Sequence, residues 1–355
     1  MKKKTAIIAL TKGGNQLAQR LTTHLPESVI LSNLSTLPAL STLSTKGNIH
    51  NTLAQAWQKY DNLICIMATG IVVRGIALLL QDKQVDPAVV VCDEQGQYAI
   101  SLLSGHLGGG NLLAQKVADI LKGQAVITTA SDVLGHTALD LWCRDLGLAV
   151  TDKQGLTRSM AKLVNTGSVS LYSDYQLPSL PKDITLTTEL RCADLWITSC
   201  TEQQVEQQVE QQGRVVLLHP KALVIGIGCN RNTSADEISN ALDHACQVNK
   251  LARESVSKLA SIDLKSDEPG LLTFARSHNL SLDFYTPEQL NQVQGIAASA
   301  AVLRATGAKA VAEPAAILCS GNGTLLVQKM KFPNVTVAIA EIRTPFAFCS
   351  RRKTA

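Results

Sequence analysis

The feature that most constrains this chain is a repeated unit: a short apolar run, a glycine-bearing turn, and then a stretch with helical periodicity. Residues 5–10 lead into Lys12-Gly13-Gly14 and an amphipathic stretch to about Leu25. Residues 63–68 run into Thr69-Gly70 and a helical pattern through Leu80, and residues 222–227 run into a Gly-Cys turn with a helix from Ser234 to about Val248. Strands that read as unbroken apolar runs between helices are buried on both faces, which is the signature of a parallel sheet with helical cover. The expected fold class is therefore α/β and multi-domain, with Rossmann-like, mostly parallel sheets carrying helices on both faces and a C-terminal α/β domain. Aromatic residues make up only 4% of the chain, so Leu, Val, Ile and Ala must fill the cores.

Further strands are expected at 88–92 and 98–103, with a hairpin turn at Gln95-Gly96, and at 125–128 after a helix over 111–121. Residues 31–46, rich in Ser, Thr and Leu, have no clear period and read as a surface excursion. Beyond Gly147 the pattern loosens into short strands near Val169, Leu195 and 215–219, and residues 202–212 read as an exposed helix with one narrow apolar stripe. The last third adds a strand over 261–264, a helix from Pro269 and two closing strands near Leu325 and 335–340. These elements suggest three parts: an N-terminal α/β domain over 1–123, a middle segment over 124–221 and a C-terminal α/β domain over 222–345.

Composition limits the partners. Lys+Arg at 33 against Asp+Glu at 29 leaves a formal charge of +4, which suits an anionic small molecule and is too weak for nucleic acid. Apolar stretches are shorter than a membrane span requires, and Lys2, Lys3 and Lys4 precede a run that ends at Lys12, too short for a secretory leader. Nine scattered cysteines without a C-x-x-C pair indicate neither a zinc site nor a disulfide framework and fit a cytoplasmic protein. No metal site is expected.

Several segments carry groups suited to chemistry. Ser104-Gly-His-Leu-Gly-Gly-Gly-Asn111 follows a strand and opens a helix, where backbone N–H groups attract anions or a developing oxyanion. Gly108, Gly109 and Gly110 allow close approach, His106 offers a proton acceptor or donor near neutral pH, and Ser104 offers a hydrogen bond; a flexible turn with a surface histidine is the plain alternative. Arg74 sits in an apolar helix and needs a partner, either a ligand carboxylate or Asp93 or Glu94. In residues 226–238, Thr233 or Ser234 caps a helix with Asp236 and Glu237 in its first turn, leaving Arg231 and Cys229 over. Asp263 and Lys265 fall on one side of the expected strand and can pair. No G-x-G-x-x-G, G-x-x-x-x-G-K-[ST] or G-x-S-x-G occurs, which weakens nucleotide and serine-hydrolase readings.

The string GIVVRGIALLLQDKQVDPAVVVCDEQGQYAISLLSGHLGGGNLLAQKVADIL with AVITTASDV resembles the N-terminal part of the CbiG family of cobalamin biosynthesis. GIGCNRNTSADEI, LASIDLKSDEPGL, VLRATGAKAVAEPAAI and VTVAIAE resemble its C-terminal domain, in the same order. The departures are small: Gly110-Asn111 where Ala-Asn is expected, and Ile76-Ala77-Leu78-Leu79 where a proline is expected. The resemblance implies hydrolysis of the ring A δ-lactone of cobalt-precorrin-5A with release of acetaldehyde, and no separate cofactor, because the cobalt travels in the substrate. For that reaction the loop chemistry offers His106 as the water-activating base, and Glu313 is a second candidate acid or base, with a helix-start carboxylate as its plain alternative. Arg74, Ser104, Gly108, Gly109, Gly110, Asn111, Arg231, Asp263, Lys265 and Arg304 are then the substrate contacts. The partner is that small molecule; a homodimer and hand-over to neighbouring pathway enzymes are compatible with it. A non-catalytic corrinoid carrier and a nucleotide-dependent oxidoreductase are the rival readings.

Overall fold

The computed structural model describes residues 4–32, 49–82, 85–201 and 215–346, arranged as two compact units that meet in sequence between Leu141 and Trp142. The expected helix over 202–212 and most of the 31–46 excursion lie outside the described residues.

The first unit is built on a six-stranded sheet of order β2-β1-β3-β4-β5-β6: β1 (Thr5–Ala9), β2 (Ser28–Ser32), β3 (Asn62–Ile66), β4 (Ala88–Cys92), β5 (Tyr98–Leu103) and β6 (Gln124–Val126). β1, β3 and β4 are buried at every position, as their unbroken apolar runs require when helices cover both faces. Each fully buried Ile or Leu, such as Ile7, Ile64 and Leu63, stabilises by roughly 2 kcal/mol relative to exposure. The Ile49–Lys59 helix packs on the Thr69–Ile76 helix, so closely that a Cβ on Gly75 would meet Leu53 Cδ1 at 2.4 Å. The latter helix stops at Ile76, short of the expected Leu80.

The hairpin expected at Gln95-Gly96 joins β4 to β5, with Gly96 at φ +71°. Asp93 organises it, accepting the Gln95, Gln97 and Tyr98 N–H groups at 2.9, 3.0 and 2.9 Å. β5 and β6 pair parallel to each other and run against β1, β2, β3 and β4. The sheet therefore takes up residues 124–126, and the unit runs to Leu141 rather than ending near Gly123.

The second unit carries two five-stranded sheets. One has the order β7-β11-β10-β8-β9, from β7 (Ala149–Val150), β8 (Val169–Ser173), β9 (Ile184–Leu186), β10 (Leu195–Ile197) and β11 (Val216–His219), with β7 antiparallel at its edge. The other has the order β14-β13-β12-β16-β15, from β12 (Leu223–Cys229), β13 (Val256–Ile262), β14 (Ser281–Tyr285), β15 (Thr324–Lys331) and β16 (Val335–Glu341). β12, β13 and β14 are parallel, and β16 runs antiparallel to β12. The middle and C-terminal segments thus form separate sheets inside one unit, joined where Tyr175 donates to Glu341 Oε1 at 2.7 Å. A Cβ on Gly226 of β12 would lie 1.8 Å from the Ala312 carbonyl oxygen, so only glycine lets the Ala312–Cys319 helix press on that strand.

Candidate active site

Sheet direction puts chemistry at two ends of the first unit. At the carboxyl ends of β1, β3 and β4 lies a crevice of about 430 Å³ lined by Thr11, Ile66, Met67, Thr69, Asp93 and Glu94 among others. β1 sits between β2 and β3, so this is the topological switch point where open α/β sheets bind ligands. Here the place a phosphate would take is filled. A Cβ on Gly13 would meet Glu94 Oε1 at 2.7 Å, so a carboxylate already covers the first turn of the Lys12–His24 helix.

β5 and β6 point the other way, and their carboxyl ends bring together a cluster that sequence spacing does not announce. His106 follows β5; Ser131 and Asp132 sit in the Ala130–Leu134 helix that follows β6, and Asp140 in the Leu139–Asp145 helix. His106 Nε2 lies 2.8 Å from Asp132 Oδ2 and 3.1 Å from Ser131 Oγ, and Nδ1 lies 3.6 Å from Asp140 Oδ1. Asn111 Nδ2 donates to the same Asp132 Oδ2 at 2.9 Å and to Thr129 Oγ1 at 3.2 Å. Both imidazole nitrogens thus face carboxylates.

Asp140, then Asp132, raises the His106 pKa above the ordinary histidine value, against the opposing effect of burial. At 3.6 Å the Asp140 contact is an ion pair rather than a hydrogen bond, but Asp140 is 11% exposed and Asp132 39%, so the charge of Asp140 is less screened. Burial works to raise the Asp140 carboxyl; the neighbouring His106, with backbone N–H groups, outweighs it and holds the group below the usual carboxylate value.

The glycine loop serves this cluster as scaffold. The N–H groups of Gly109, Gly110 and Asn111 donate to His106, Ser104 and Gly105 carbonyls at 2.8, 3.0 and 2.9 Å, so they do not form the anion cradle expected of them. Ser104, at φ +54°, donates its hydroxyl to the carbonyl of the buried Asp86 at 3.0 Å. Asn111 is 8% exposed and orients Asp132. Arg74 is exposed and makes no ion pair among the described residues, with neither Asp93 nor Glu94; Asp93 is spent on the hairpin.

In the second unit β12 and β13 are parallel, so the turns after them share one edge, joined there by the turn between β15 and β16. This edge forms a cleft of about 670 Å³, within the range of small-molecule sites. Arg231, Lys265, Lys329 and Lys331 line it, and its lining includes no carboxylate. Val302, Val311 and Phe332 give it an apolar wall. Behind the cations stands Glu268, 1% exposed, with Oε2 at 3.6 Å from Arg231 and 3.7 Å from Lys265 and Oε1 accepting the Asn232 N–H at 2.8 Å. Arg231 also pairs with exposed Asp267.

β13 ends at Ile262, and residues 263–265 form a 3-10 turn. The expected Asp263–Lys265 strand pair is therefore replaced: Asp263 accepts the Leu264 N–H at 2.7 Å and Lys265 meets Glu268. Arg304 is exposed and outside the cleft lining. Glu313 is buried and accepts the Lys329 N–H at 3.2 Å, a structural contact between helix and β15. Burial, the largest influence on Cys229, pushes its thiol up, which argues against a thiolate nucleophile. Ser234, paired with Glu237 in a capping box, is the cap of the Ala235–Val248 helix.

Sequence reasoning missed Asp132, Asp140, Lys329 and Lys331. The acid that follows 125–130 at a helix start was the one local signal for Asp132; the lysines read as an ordinary strand.

An imidazole clamped by carboxylates in one unit and a cation-lined, carboxylate-free cleft in the other define an α/β enzyme for an anionic small molecule. The comparisons narrow this class. The cobalamin synthesis G N-terminal family matches residues 51–132 and the cobalamin synthesis G C-terminus family matches residues 223–340. The chain is 35% identical over 356 residues to the cobalt-precorrin-5A hydrolase of Priestia megaterium, covering 95% of this chain and 94% of that one. It is 34% identical over 349 residues to the cobalt-precorrin-5A hydrolase of Salmonella typhimurium, covering 94% and 96%. It is also 32% identical over 121 residues to protein CobE of a Sinorhizobium species, covering 33% of this chain and 79% of that one. The chain belongs to the CbiG family of cobalamin synthesis.

Proposed function

We propose that this protein is a cobalt-precorrin-5A hydrolase of vitamin B12 biosynthesis, opening the ring A δ-lactone and releasing acetaldehyde to give cobalt-precorrin-5B. The Priestia megaterium and Salmonella typhimurium relatives are both named cobalt-precorrin-5A hydrolase, which supports this reading. The observation that carries the reading to this chain is the cleft lined by Arg231, Lys265, Lys329 and Lys331 without a carboxylate. A macrocycle fringed with acetate and propionate groups offers those cations several charge-assisted hydrogen bonds, and its apolar face suits Val302, Val311 and Phe332.

Lactone opening adds one water across the carbonyl. The freed hydroxyl then gives up its proton and its carbon–carbon bond to the ring breaks; acetaldehyde leaves and the electron pair stays on the conjugated macrocycle until a proton neutralises it. The cobalt enters with the substrate, and no other cofactor is part of the reading. We set this chemistry in the cytoplasm, with homodimerisation and hand-over to the next enzyme as further parts of the proposal.

Incubating the purified chain with cobalt-precorrin-5A and assaying acetaldehyde tests it. Release of acetaldehyde in step with loss of the lactone is expected. Tight binding of the corrinoid with no acetaldehyde would overturn the hydrolase reading in favour of a carrier.

A further inference from the structure

We infer that Asp132 is the base that draws the proton from the attacking water, and that Asn111, His106 and Asp140 are the residues that position it. This rests on the hydrolase reading above. Asp132 Oδ2 receives both the His106 ring and the Asn111 amide, whereas Oδ1 has no partner among the described residues, and the side chain is the most exposed of the three ionisable groups. Each His106 nitrogen faces a carboxylate, Nε2 toward Asp132 and Nδ1 toward Asp140, and two anions around one ring favour its protonated form over a free base. The histidine expected from sequence to be the base is instead held between two anions.

The obvious rival is Ser131 as a nucleophile, since Ser131 Oγ, His106 and Asp140 fall in the order of a serine triad. A triad histidine must accept the hydroxyl proton at Nε2. Here that nitrogen meets Asp132 at 2.8 Å, closer than Ser131 at 3.1 Å, and a serine beside an imidazolium keeps its proton.

The step balances without any further reagent. Water gives one proton to Asp132 Oδ1 as its oxygen bonds to the lactone carbonyl carbon. When the ring carbon–oxygen bond breaks, the departing alkoxide takes that proton back, and the net change is the addition of one water. The imidazolium stabilises the Asp132 anion before the step and after it.

Three variants of the full chain test this. Asp132→Asn is expected to lower single-turnover lactone opening by at least about 100-fold, the usual weight of a general base. Ser131→Ala is expected to stay within about tenfold of wild type, having lost one modest hydrogen bond. Asp140→Asn is expected to move the alkaline limb of the rate profile to lower pH and to lower the His106 ring-proton NMR midpoint by about one pH unit or more. His106→Gln assigns that resonance, and circular dichroism confirms that each variant is folded. A loss of roughly a thousandfold in Ser131→Ala with Asp132→Asn still active would overturn the inference in favour of the triad. A His106 midpoint unmoved by Asp140→Asn would overturn the positioning. The titration needs no substrate, so it decides the clamp even if the wild type leaves cobalt-precorrin-5A intact and the proposed function falls.

Discussion

The Lys265 ammonium lies 3.7 Å from Glu268 Oε2, and Glu268 is the more buried partner at 1% exposure. The carboxylate fixes the turns after β12 and β13 together, since it also holds the Asn232 N–H. Glu268→Gln keeps the shape and removes the charge. Urea unfolding should show a loss of about 1.5–3 kcal/mol, the range for hydrogen bonds to charged groups. An unchanged midpoint would mean that the turn holds itself.

Lys329 and Lys331 line the same cleft, and neither pairs with a carboxylate among the described residues. Lys331→Glu should weaken binding of the carboxylate-fringed corrinoid by about tenfold or more at low salt and less at high salt, because exposed charges are screened. Fluorescence or absorbance titration at two ionic strengths reads this. Equal affinity in wild type and variant would remove the cleft from the substrate's path.

Gly226→Ala should be strongly destabilising. The added methyl meets the Ala312 carbonyl oxygen, a backbone atom that cannot swing away. A cost of about 3 kcal/mol or more is expected, at the upper end for overpacking. A thermal melt within a degree of wild type would show that the helix can shift without cost.

The clamp around His106 also sets a pH window for stability. His106 is raised in the fold, so its contribution is full below its ordinary value and is lost as pH rises through the folded one. Asp140 is lowered, so its contribution is present above the ordinary carboxylate value and is lost as pH falls through the folded one. Wild type should therefore exceed His106→Gln in stability most between these limits, and the gap should close toward both extremes. A gap that is flat with pH would rule out the ionised pair.

Local pattern revealed what depends on local pattern. The strands β1, β3 and β4, the Gly96 hairpin and the Ser234 cap each follow from a few neighbouring residues and are found where sequence puts them, whereas the strand expected over 261–264 lies earlier, at Val256–Ile262. The Ile49–Lys59 helix was not legible, because it buries only Thr52, Leu53 and Ala56 and the stripe is diluted by glutamines. Ser28–Ser32 escaped for the same want of a period. The greater loss was long-range: nothing in residues 98–103 or 124–126 tells that they pair in parallel, and that pairing alone carries Asp132 to His106. In the same way Lys331 reaches Arg231's cleft only through the antiparallel register of β15 and β16.

Glu94 gives the crevice of the first unit a tenant of its own. A chain whose architecture elsewhere welcomes nucleotides keeps one negative group of its own at the doorway, so a diphosphate arriving there meets repulsion before it meets a hydrogen bond. Discrimination against the commonest anions of metabolism is in this way written into the turn between β4 and β5.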